Sequence, residues 1–118
     1  MDCGFEKLVI YQKSLIGVKL VFDLTANPPL TSQFSLKDQI QRASMSVSAN
    51  IAEGSGRIAQ KDYYHFISIA LGSCNEVQAF LDIIKTLYPK VDVNKEHLYY
   101  FELSKQIFAF RKTLIKNY

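Results

Sequence analysis

Apolar residues recur every three to four positions along nearly the whole chain, a period that predicts helices, and no stretch alternates with the period of a strand. Leu8, Tyr11, Leu15, Val18 and Phe22 mark the seam of a first helix over about 5–26, which Asn27-Pro28-Pro29 ends because a helix cannot cross that pair. Leu30 to Phe34 reads as a connector. Ser35 is placed to cap a second helix with Asp38 in its first turn, and Leu36, Ile40, Ala43, Val47 and Ile51 form its apolar stripe. That helix is expected to stop at Glu53-Gly54-Ser55-Gly56, with the glycines supplying a positive-φ cap. A third helix over about 60–88 carries Tyr63, Phe66, Ile67, Ala70, Cys74, Val77, Leu81 and Ile84, and Pro89 follows it. Asn94 is expected to cap a fourth, with Tyr100, Leu103, Ile107, Phe110 and Leu114 as its seam and Phe101 and Phe108 broadening it. Four amphipathic helices with short to moderate links specify an all-α fold, an antiparallel up-down-up-down four-helix bundle, formed as a single domain over 1–118.

Beside the second stripe runs a polar row. Arg42, Ser46, Asn50 and Glu53 follow at spacings of four, four and three, so a helix stacks them at the edge of its buried face. Ser73 and Glu76 offer a matching pair on the third helix. These six residues are expected to form one satisfied structural network, in which Arg42→Ala would strand carboxylate charge and cost about 3–5 kcal/mol. Small residues point to a close approach of the same two helices: Ala43, Ser44, Ser46, Ser48, Ala49 and Ala52 on one, Ala70, Gly72 and Ser73 on the other. Gly72 costs about 1 kcal/mol relative to Ala inside a helix, so a close contact is expected to offset it. The alternative is a small-molecule or metal site using Glu53 and Glu76.

The stretch Gln39, Arg42, Ala43, Ser46, then Asn50-Ile51-Ala52-Glu53-Gly54, followed by Ala70, Gly72, Ser73 and Glu76, resembles a known family. It is similar to the four-helix-bundle proteins encoded in intervening sequences of 23S rRNA genes, the S23-like proteins, to which the accessory variability determinant of diversity-generating retroelements is related. Phe5-Glu6-Lys7-Leu8 with Tyr11-Gln12 resembles the family's start, so the likeness spans nearly the whole chain. The resemblance implies a homo-oligomer, with a pentamer as the expected stoichiometry. It also implies a partner that is structured RNA or a nucleic-acid enzyme such as a reverse transcriptase.

At 118 residues the chain can bury one core, and a hydrophobic fraction of 48% argues for a folded globule. Eight Phe and seven Tyr are generous for this length, and some are expected at an interface between copies. The charge of +3 permits an acidic partner. Cys3 and Cys74 form no disulfide framework, and Cys74 reads as a small core residue. The N-terminus lacks a signal-like apolar core and no apolar run approaches membrane-spanning length, so a cytoplasmic protein without membrane contact is expected.

Catalytic patterns are largely missing. Asp62 and His65 lie one turn apart, but a di-metal bundle site needs Glu-x-x-His on two helices, and His97 directly follows Glu96. A surface histidine and an acid at a helix start account for them. No serine sits in a nucleophile elbow, and Gly54-Ser55-Gly56-Arg57 lacks the strand and lysine of a phosphate loop. A non-enzyme without cofactor or metal is expected. From Leu103 onward, however, the chain carries Lys105, Arg111, Lys112 and Lys116 and no acid, with Phe108 and Phe110 interleaved. These four cations are the nucleic-acid-binding candidates of an RNA- or nucleic-acid-enzyme-binding scaffold. The rival is a purely structural assembly protein with no nucleic-acid role.

Overall fold

The computed structural model describes residues 4–115, so Cys3 and Lys116 lie outside it. Among these, a single 3-10 turn at Phe5–Lys7 leads into α1 (Val9–Thr25), and another at Leu30–Ser32 leads into α2 (Phe34–Ser55). α3 (Gln60–Leu87) and α4 (Asn94–Ile115) follow, the last elements among the described residues. Each helix packs on its sequence neighbours and α1 also meets α4, which closes an up-down-up-down bundle measuring 46 × 28 × 20 Å. The α2–α3 seam is the most extensive and α1–α4 the thinnest.

The core follows the predicted stripes on three helices. Ile40, Ala43, Val47 and Ile51 of α2, Ile67, Ala70, Cys74, Val77, Leu81 and Ile84 of α3, and Tyr100, Leu103, Ile107 and Leu114 of α4 are buried together. α1 departs from its expected register. Its buried line is Ile10, Ser14, Gly17, Val21 and Thr25, while Leu15 and Phe22 face outward. α1 is apolar around most of its circumference, so periodicity does not fix its face. The small residues are turned inward: Ser14 shares a buried 2.8 Å hydrogen bond with Ser48 of α2, and Gly17 makes room for the Tyr100 ring of α4. A Cβ at Gly17 would lie 2.6 Å from Tyr100 Oη and 2.8 Å from its Cζ.

Helix ends also differ from expectation. Ser35 lies inside α2, whose preceding residue Gln33 makes no side-chain cap. The α2 C-cap, Gly56, has φ of −86°, so no positive-φ cap forms there. Gly54 is needed for space instead, because a Cβ on it would sit 2.9 Å from Phe66 Cβ and 3.1 Å from Tyr63 Cδ1 of α3. At α4 the cap comes from Asp92, whose Oδ1 accepts the Asn94 N–H at 3.0 Å. Gly72 is exposed with no atom within 4 Å of its would-be Cβ, and nothing in the structure explains a glycine there.

α3 corrects one expectation about membranes: by length and composition alone it is long and apolar enough to cross one. Its apolar line from Ile67 to Ile84 is used inside the bundle, and its outward side carries Asp62, His65, Asn75, Glu76, Asp82 and Lys85 together with the exposed Ile69, Ile83 and Leu87. The core helix of a bundle passes the same test of length and composition.

Candidate nucleic-acid interface

The polar row divides into two parts. Ser46 and Ser73 share a 2.8 Å hydrogen bond across the α2–α3 seam, and Asn50 Nδ2 donates to Ser46 Oγ at 3.0 Å and to the Ser46 carbonyl at 2.9 Å. These three residues form a bridge. The charged members do not join it: Arg42 Nε pairs with Asp38 on its own helix at 2.9 Å, Glu53 pairs with Arg57, and Glu76 is exposed. Long side chains one position from the stripe reach water and find partners one turn away, which avoids the desolvation that a buried position imposes. The Arg42 side chain is 74% exposed, so the expected buried network around it is corrected. Arg42→Ala is accordingly expected to cost under about 0.5 kcal/mol in urea unfolding, the worth of an exposed i,i+4 pair. Glu53 and Glu76 are not brought to one site. No group of three or more metal-ligating side chains forms among the described residues.

The two histidines are also apart. His65 is exposed with its ring edge-on to Phe66, and His97 Nε2 lies 3.1 Å from Asp82 Oδ1 across the exposed α3–α4 edge. Cys74 is buried as expected and donates to the Tyr100 carbonyl at 3.3 Å. Burial pushes its thiol up to about 12, from an ordinary value of 9.0. Tyr100 is raised as well, by burial first, then by the neighbouring Cys74 and Tyr99, with the Ser44 hydroxyl offsetting part of it. An acid with a raised folded pKa keeps its proton in the fold while the unfolded chain releases one. The unfolded state then binds fewer protons, and stability falls as pH climbs from about 9 toward 12, by up to about 1.4 kcal/mol per unit for each such group. Urea unfolding across pH 8–11 should show this alkaline loss, and Cys74→Ala should flatten its onset near pH 9.

The basic candidates occupy the outer side of α4. Leu98, Phe101, Lys105, Phe108 and Lys112 succeed one another at alternating spacings of three and four, a second stripe facing away from the core. Phe101 and Phe108 do not broaden the buried seam as expected; each is 43% exposed. Lys105 Nζ lies over the Phe101 ring at 4.4 Å, and Lys112 Nζ lies over Phe108 at 4.8 Å. The Arg111 guanidinium stands 5.3 Å from both Tyr64 and Phe108 and donates to Ser68 Oγ of α3 at 3.2 Å. Such contacts hold the cations near one geometry and reduce the entropy lost when an anion arrives. Sequence reading missed the α3 contribution: Tyr64, Ser68, Leu71 and Asn75 recur at helical spacing along the flank facing α4, the one signal that could have found them. From Tyr63 to Asn75, and from Leu103 onward, the chain carries no acidic residue. The two facing segments therefore make an acid-free surface holding Lys105, Arg111 and Lys112.

Four antiparallel helices around one apolar core define this protein as an all-α four-helix bundle. The sequence matches the family described as 23S rRNA-intervening sequence protein over residues 6–109, and the chain belongs to that family. The same fold occurs in a crystal structure of a protein with unknown function from the S23 ribosomal protein family of Bacteroides thetaiotaomicron. It is 23% identical, the match covers 92% of this chain and 96% of that one, and the TM-score is 0.69. At that identity the likeness concerns the fold alone. No curated protein matches the chain.

Proposed function

We propose that this protein is a non-enzymatic, homo-oligomeric binding module of the cytoplasm, whose α4 face engages structured RNA or a nucleic-acid enzyme. The observation that carries the reading is the acid-free α3–α4 surface on which Lys105, Arg111 and Lys112 are pre-positioned over aromatic rings. The family's association with 23S rRNA genes supports the same class of partner, and the motif resemblance to the retroelement determinant adds a reverse transcriptase to the candidates. Exposed apolar residues on the outward faces, among them Ile16, Phe34, Met45, Ile58 and Ile83, support assembly into a closed ring, for which a pentamer is expected. Repetition around a ring multiplies a modest charge per chain.

The test is a fluorescence-anisotropy titration of labelled structured RNA at two salt concentrations. Affinity should fall steeply with salt. Replacing Lys105, Arg111, Lys112 and Lys116 by Gln should weaken binding and reduce the log–log salt slope by about 3 if all four contact phosphate. Circular dichroism should show the variant still folded. Absence of binding at low salt, or identical binding by the variant, refutes the reading. A second reading, a purely structural assembly protein, is favoured by the number of exposed apolar side chains. It predicts light scattering at several times the chain mass with no RNA affinity, whereas a monomer at tens of micromolar defeats both.

A further inference from the structure

The α4 face offers more than charge. Resting on the reading that this face binds RNA, we propose that it takes unpaired bases: a single-stranded RNA segment whose bases stack on Phe101 and Phe108 while its phosphates meet Lys105, Arg111 and Lys112. The inner side of α4 is already filled by Tyr100, Leu103, Ile107 and Leu114, so the outer rings contribute little to the chain's own core. Seven residues separate them, which at 1.5 Å per residue sets the rings about 10 Å apart along the helix. Two nucleotide steps of an extended strand bridge that distance, so the rings suit bases that are not adjacent in sequence. Beside Phe108 opens a cleft of about 310 Å³ lined by Leu71, Asn75, Ser104, Lys105 and Phe108. This is about ten water volumes, of the order of one nucleobase.

The chemistry of the cleft matches a base better than a phosphate. Leu71 and the Phe108 ring supply apolar walls, and the exposed Asn75 amide can both donate to and accept from a base edge. Ser104 Oγ already donates to the Phe101 carbonyl at 2.6 Å, which leaves it as an acceptor. An ammonium covers one face of each ring, so an arriving base takes the opposite face or displaces the ammonium, which is then at hand for the nucleotide's own phosphate. A duplex hides its base faces and presents only phosphates and minor-groove groups, so it would use the cations and leave both rings idle. Acids flank the site at one end, Glu76 beside Asn75 and Glu102 beside Phe101, and the surface from there toward Arg111 and Lys112 carries cations alone, which favours a polyanion over an apolar partner.

The experiment uses the full chain with an oligouridylate of about twelve nucleotides carrying one 2-aminopurine, within the range of site sizes for single-strand binders, and an RNA duplex of equal length. Phe101→Leu and Phe108→Leu keep apolar volume and leave every cation in place. For the wild type, the 2-aminopurine emission should be quenched on binding. Each variant should lose about tenfold in affinity for the single strand and recover emission. Duplex binding should change by less than about twofold. Equal wild-type affinity for both probes, with the variants unchanged, overturns this inference and leaves the proposed function standing. Binding to neither probe removes both. A change in the oligomer's mass in the variants, with single-strand affinity unchanged, overturns the inference by assigning the rings to a neighbouring copy.

Discussion

Tyr100→Ala is expected to lower the unfolding free energy by about 3–5 kcal/mol, the largest loss from any single truncation in this bundle. Tyr100 is fully buried, the largest such side chain, and it fills the space where α1, α3 and α4 meet. Its ring rests on Gly17 of α1, and its carbonyl receives the Cys74 thiol of α3. Collapse around the void is limited because the surrounding positions are backbone and small residues. The phenol oxygen behaves differently from the ring. Tyr100 Oη is buried and meets no hydrogen-bond partner of good geometry among the described residues, with only the Ser44 hydroxyl near enough to act on it, so Tyr100→Phe loses at most a weak contact and should change stability by less than about 1 kcal/mol. Gly17→Ala should cost about 1–3 kcal/mol, since its Cβ would collide with that hydroxyl. In a Tyr100→Phe background the cost should shrink in part, because the atom at 2.6 Å is gone while Cζ at 2.8 Å remains. Urea denaturation with an unchanged slope, read as midpoint shifts, gives all four corners of the cycle. Additive losses would show that the Tyr100 hydroxyl does not set the α1–α4 distance.

Gly54→Val should also be severe, at the upper end of about 1–3 kcal/mol, with Gly54→Ala milder. Here the obstructing atoms are Phe66 Cβ at 2.9 Å and Tyr63 Cδ1 at 3.1 Å, and a Cβ cannot swing aside without moving its backbone. The substitution therefore pries α2 from α3 at the end where only Gly56–Ala59 link them. Ala gains about 1 kcal/mol of helix propensity over Gly, which offsets part of its clash, whereas Val gains less and adds bulk. A thermal midpoint no lower than that of the native chain would mean that this end opens at little cost.

Both sites bear on how much the sequence reveals. Glu53-Gly54-Ser55-Gly56 was legible as a helix end, yet the reason for Gly54 was not. A positive-φ cap and a close helix approach both call for glycine, and only the position of Phe66 distinguishes them. The stripe that contains Lys105 and Lys112 is legible as basic with interleaved aromatics, but periodicity alone places Phe108 inward and does not bring Tyr64 and Ser68 beside it. Those residues lie more than forty positions from Arg111, and only folding brings them beside it.

Periodicity alone sets the number of helices, their approximate spans and the buried faces of α2, α3 and α4. The reason is that a strong apolar stripe every 3.6 residues has one low-energy orientation toward a core. It also located the α2–α3 contact through Ser46, Asn50 and Ser73. Packing between helices sets what lies at the margins of those stripes. It chose the small-residue face of α1, because only Ser14 and Gly17 let that helix approach Ser48 and Tyr100. It sent Arg42 and Glu53 to water, because partners one turn away were available without desolvation. It left Phe101 and Phe108 outside, because the α4 core positions were already filled by Tyr100, Leu103 and Ile107. A residue at a stripe's edge is inside or outside according to whether a neighbouring helix covers it, and that depends on contacts distant in sequence.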